Sequence, residues 1–175
     1  FRDGATNTWD TPSGWTLLKT QGSAGHSESV AWARTADTTM VTLGSVNVTG
    51  SAAGNARCFM LRFTGGPSDY TTNVVSAGQS NSTAVQDIPT PARTISVDNT
   101  LVLFFAIDNA NDAASGVTSY PASATSRVAS ASSFGSNEFS VYAGSLVQTS
   151  ATNISSGSID LVSTGTGISL SMVIS

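Results

Sequence analysis

Apolar side chains recur at every second position along most of this chain, and Gly, Pro, Asn and Asp break the pattern at short intervals. A period of two sends alternate side chains to opposite faces of an extended backbone, so it dictates strands, not helices. VAWAR sets Val30, Trp32 and Arg34 on one face. MVTLGSVNV sets Met40, Thr42, Gly44, Val46 and Val48 on one face, with Val41 and Leu43 on the other. TLVLFFAI, residues 100–107, is apolar throughout and suits a strand buried on both faces. The pattern predicts strands at 15–20, 29–34, 40–48, 56–64, 71–76, 100–107, 126–131, 138–148 and 168–174, with shorter candidates at 82–88 and 158–162. The Ser/Thr/Gly tracts at 149–158 and 163–167 read as loops, and NANDAASG at 109–116 supports one helical turn at most. Short strands with turn signals between them make a single all-β domain over residues 1–175. Its expected form is an antiparallel β-sandwich, jelly-roll-like, with long loops and little helix.

Only 10% of the residues are charged, while 29 are Ser and 23 are Thr. A charge-poor chain escapes disorder only if it is rich in β-branched and aromatic residues, and this one is. Lys19 is the only lysine, and the net charge is −4. Phosphate binding needs a basic patch, so nucleic acid is excluded as a partner. Lysines also guard exposed strand edges, so their scarcity predicts edges covered by neighbours in an assembly. No run reaches the roughly 18 apolar residues of a membrane helix.

TPSGWTLL, residues 11–18, joins a turn to an aromatic. Pro12 presets the turn, Gly14 lets the backbone reverse, and Trp15 heads a strand with Leu17 on its side. The predicted core contains Trp15, Leu17, Trp32, Phe59, Leu61, Phe63, Leu101, Leu103 and Phe105. Cys58 is the only cysteine, which rules out an intrachain disulfide, and its apolar flanks predict a buried small side chain.

Catalytic groups are scarce. His26 is the single histidine, so multi-histidine metal sites are excluded. GHSES at 25–29 nearly matches a nucleophile elbow, but Ser29 replaces its second glycine and both flanks are strand-like. A triad base would have to be His26 itself, beside Ser27, and a solvated turn is the better reading. Glu28 and Glu138 are the only glutamates, and the aspartates fall mostly in turns. DNAND at 108–112 is the densest set of oxygen donors, making Asp108, Asn109, Asn111 and Asp112 the candidate cation ligands. The EF-hand spacing fails there, because Ala110 and Ala113 occupy key positions, and an Asx-rich turn explains the segment. Asn47, Asn81 and Asn153 begin glycosylation-type triplets, which a Ser/Thr-rich chain produces by chance. Trp9 and Tyr120, flanked by loop residues, are the candidate surface contacts for a glycan. No cofactor is expected.

P-x-GW-T-L, VAWAR, RCFMLRFTG, TLVLFFAID and SYP follow one another in the order of a known pattern. Pro12, Gly14, Trp15, Trp32, Arg34, Arg62, Phe63, Gly65, Leu101 to Phe105, Asp108, Tyr120 and Pro121 carry it. The chain resembles β-sandwich modules of tailed-phage virion proteins, capsid-decorating or tail- and fibre-associated, and related secreted bacterial proteins. The resemblance covers most of the chain and brings no catalytic residues. It implies a non-enzymatic capsid decoration protein on the virion's outer surface. Its partners would be the major capsid protein and further copies of the chain. The alternative is a tail- or fibre-associated adhesion module or a lectin-like, extracellular carbohydrate-binding domain. In similar chains an apolar strand precedes the P-x-GW turn. Phe1 and Arg2 are therefore expected to be the end of a strand begun in an upstream N-terminal segment.

Overall fold

The computed structural model describes residues 2–3, 8–23, 27–38, 40, 45–51, 56, 58–65, 74–109, 116–134 and 137–175. The strands among them are β1 (Arg2–Asp3), β2 (Thr16–Ser23), β3 (Ser27–Ala33), β4 (Val74–Thr90), β5 (Thr100–Asn109), β6 (Val117–Ser119), β7 (Thr125–Phe134), β8 (Asn137–Gln148) and β9 (Gly157–Ile174). A small sheet has the order β1-β3-β2. A large sheet has the order β4-β9-β5-β8-β7, with β6 paired to β9. Every pairing is antiparallel. The fold is an all-β, antiparallel sandwich.

β5 is central because its composition leaves it no exposed face. Val102, Phe104 and Ala106 enter one core layer with Tyr142 of β8, Val173 of β9, Ile88, Ile95, Ile154 and Ile159. Leu103 faces the other way, clusters with Leu170 and Met172, and meets Leu18 and Ala31 of the small sheet. Side chains such as Phe104 and Val102, fully buried, each contribute about 1.5–3 kcal/mol. The first layer is closed by the end of β4 and the chain that follows it. Ser169 and Ser171 are fully buried on β9, and their hydroxyls donate to the carbonyls of Pro89 (2.5 Å) and Pro91 (3.4 Å). Hydroxyls that would be costly in an apolar layer thereby fasten its cover.

β4 and β9 are longer than the sequence pattern predicts. The candidates at 71–76 and 82–88 fall in one strand, with 71–73 outside the described residues. The candidates at 158–162 and 168–174 fuse through the tract 163–167, expected as a loop. Register shifts between Asn81 and Val85, and between Val85 and Asp87, absorb the irregularity without ending the ladder. The glycines in the tract serve close approach rather than a turn. A β-carbon on Gly167 would lie 2.6 Å from the carbonyl oxygen of Ile107, and one on Gly165 would strike the Asp108 carboxylate.

The strands expected at 40–48 and 56–64 are absent from the described residues. Arg34 pairs with Asp37 at 3.3 Å, and Asp37 accepts the Met40 N–H through its backbone and side-chain oxygens, both at 3.1 Å. An Asp in that position caps a helical turn, so the chain coils at 38 and 40, where the expected strand would begin, and 41–44 lie outside the described residues. Residues 45–49 and 58–65 run irregularly.

Several core expectations change with this. Cys58 is exposed. Phe59 and Phe63 are exposed, and Leu61 is half-buried. Phe59 still leans on half-buried Phe105, with ring centroids 5.7 Å apart. Leu17 is 49% exposed. It pairs with Trp32, and a register shift between Leu17 and Lys19 turns Leu18 inward in its place. Trp32 and Trp15 are half-buried, Leu101 lies at the margin of the second layer, and Leu103 is buried as expected. The turn before Trp15 forms as read: Trp15 N–H donates to the Pro12 carbonyl at 3.0 Å, and Gly14 has φ +78°. Arg2 and Asp3 pair with Glu28 and Ser27, while Phe1 lies outside the described residues.

Candidate functional site

Among the described residues, those singled out for chemistry do not converge. Asp108 is fully buried and lies within β5, not in an exposed turn. It stands opposite Ser140 and Gly167, with its carboxylate over Gly165. Asn109 ends the strand, and Asn111 and Asp112 lie outside the described residues. No group of three or more His, Cys, Asp or Glu that could hold a metal occurs among the described residues. His26 lies outside them. Glu28 is on β3 and Glu138 on β8.

Tyr120 is a core residue and not a surface contact. It is buried, its ring packs against Gly144, and its hydroxyl donates to the Val128 carbonyl at 3.3 Å. Its loop flanks predict a surface position, but Gly144 on β8 leaves room for the ring against the sheet. Trp9 is half-buried and pairs with Gly50, beside bonds from Asp10 N–H to the Thr49 carbonyl (3.0 Å) and from Ser51 N–H to the Thr8 carbonyl (2.9 Å). The two aromatics therefore form no common platform.

Among the described residues a cleft forms between the turn that follows Tyr120 and the chain joining β8 to β9. Its volume is about 340 Å³, and Pro121, Ala122, Gln148, Asn153, Ile154 and Ser156 contribute to its lining. One wall is a tight 3-10 turn, Pro121–Ser123, closed by the Ala124 N–H donating to the Pro121 carbonyl at 3.1 Å. Ala122 (φ 53°) and Ser123 (φ 57°) are both left-handed. Non-glycine residues adopt that region at a cost of about 1–2 kcal/mol each. The tertiary structure must therefore hold the turn, and the buried Tyr120 ring and buried Pro121 do so.

The opposite wall is the loop between β8 and β9. It is fastened to the segment after β4 at several points. Arg93 and Ile154 exchange backbone bonds of 2.8 and 3.0 Å, Ala151 N–H donates to Asp98 Oδ1 at 2.7 Å, and Ile95 N–H donates to Asn153 Oδ1 at 3.1 Å. The last bond engages the oxygen of the Asn153 amide, and the residue is otherwise exposed. The cleft lining carries no ionisable side chain. The sequence features that fall at this place are the SYP turn, the Ser/Thr tract and the glycosylation-type triplet at Asn153.

Three described titratable groups are displaced from their ordinary proton affinity, each chiefly by burial. Burial raises Glu28. Burial lowers Arg93 and raises Tyr120. They belong to separate elements: β3, the segment after β4, and the residue before the 3-10 turn. No known protein family, curated protein or solved structure matches this chain.

Proposed function

We propose that the chain is a non-enzymatic structural protein of a tailed-phage virion that decorates the outer surface of the capsid. The observation that carries this reading is the exposure of Phe59, Met60 and Phe63 within five residues of sequence, with Met60 at 64% and the Phe59 ring against Phe105. Phe and Met are enriched at protein interfaces, and a contiguous apolar patch marks a contact surface more often than an isolated side chain does. The scarcity of lysine and the two-sheet scaffold support the same reading. A decoration protein needs a rigid sandwich and a docking surface, and it needs no reactive centre. Its expected partners are the major capsid protein and further copies of the chain, arranged by the symmetry of the shell.

The test is a reconstruction of the source particle, together with protein mass spectrometry of purified particles. Many copies at regular lattice points, with 58–63 at the contact, are expected. Absence of the chain from purified particles would overturn the proposal. Copies confined to one vertex would move it to the tail.

A further inference from the structure

From the cleft between the Pro121–Ser123 turn and the β8–β9 loop, we infer a binding site for a neutral saccharide. The site does not depend on where in a virion, or elsewhere, the chain resides.

Three observations combine. The first is chemical. The lining offers the amides of Gln148 and Asn153 and the hydroxyls of Ser155 and Ser156, over apolar surface from Pro121 and Ile154. Each sugar hydroxyl both donates and accepts, and its ring carries apolar C–H faces. Amides and hydroxyls around an apolar floor match both properties. A phosphate, carboxylate or ammonium ligand would find no counter-charge among the lining residues. The volume, about 340 Å³, is at the lower end for ligand clefts and suits a short saccharide.

The second is preorganisation. The bonds to Arg93, Ile95 and Asp98 hold the β8–β9 loop before any ligand arrives. Ordering a loop on binding costs affinity, so a loop already fastened favours it. Because Asn153 Oδ1 accepts from Ile95, the amide is turned with its two N–H donors as the free end. The third is strain. Ala122, the first of two consecutive left-handed non-glycine residues, lines the facing wall beside Pro121. Strained backbone of this kind persists where a fold over-determines it, and it gathers at ligand clamps. Here it sets Ala122 against the loop across the cleft. Gly157 accommodates the approach, since a β-carbon there would already touch Pro121 at 3.4 Å.

The experiment titrates the labelled full chain with maltotetraose, cellotetraose and chitotetraose at millimolar concentration, read by amide chemical shifts, with sialyllactose as an anionic control. At least one neutral sugar is expected to move the amides of Ala122, Gln148 and 153–157. Gln148→Ala is expected to weaken that binding about tenfold, the loss of a hydrogen bond or two. Ser156→Trp, which fills the cleft, is expected to abolish it. Gln148→Ala keeps the test decisive if the larger substitution disturbs the loop. No movement at these amides with any of the three sugars overturns the inference. So does binding that both variants leave unchanged, or a preference for the anionic control. None of these outcomes bears on particle location, so the capsid reading stands or falls separately.

Discussion

The ring of Tyr120 occupies the space that a β-carbon on Gly144 would need: Cδ1 would lie 2.6 Å from it, and Cγ and Cε1 2.9 Å. Gly144 is in the middle of β8, opposite Phe104 on one side and Ser126 on the other. A glycine there weakens the strand locally, yet it admits an aromatic flat against the sheet. Gly144→Ala should therefore destabilise the fold by about 1–3 kcal/mol through overpacking. Urea unfolding measures this, and an unchanged midpoint would mean that the ring is not held against the strand.

The left-handed turn gives an ordered pair of variants. Ala122→Gly removes a backbone penalty of about 1–2 kcal/mol, and added freedom of the unfolded chain takes back about 0.4–1. A net gain of between zero and about 1.6 kcal/mol is expected. Ala122→Val places a β-branched side chain at φ 53° and should destabilise. Thermal melting of both variants checks the order, and the reverse order would refute the left-handed assignment.

Alkaline pH should loosen the protein through Tyr120. Burial raises its phenol above the ordinary 10.0, although a bond with Ser126 opposes the shift. Above that ordinary value the unfolded chain releases the proton while the native state keeps it. The contribution is thus complete below pH 10 and is lost as pH rises toward the higher native value. Tyr120→Phe should cost about 0.5–1.5 kcal/mol at neutral pH, through the lost bond to Val128, and should flatten stability against pH above 10. Identical alkaline slopes in the two proteins would contradict this.

Cys58 is exposed in an irregular segment. A thiol reagent should label it in the native protein at close to the rate seen after unfolding. Labelling that awaits denaturation would instead return Cys58 to the buried role its neighbours suggested.

Where alternation and burial agree, the sequence was enough. TLVLFFAI could only be satisfied between two layers, and β5 lies there, with Phe104 in one and Leu103 in the other. The turn at Pro12 and Gly14 followed from backbone chemistry alone. Apolar content without alternation of environment misled: RCFMLRF reads as a strand, yet Cys58, Met60 and Phe63 are exposed. Leu17 and Leu18 differ only in register, and one irregularity between Leu17 and Lys19 decided which of them turned inward.

Local chemistry, then, determined the class of the fold, the central strand and the opening turn, because periodicity and turn preference act between near neighbours. Tertiary contact decided the rest. Gly165 and Gly167 became strand because Asp108, Ile88 and Ile107 approach them from elsewhere. Tyr120 left the surface because Gly144, distant in sequence, made room. The neutral cleft exists because Arg93, Ile95 and Asp98 fasten a loop more than fifty residues further along the chain. A period of two says which side of a strand is apolar, but only the packed chain says what meets it.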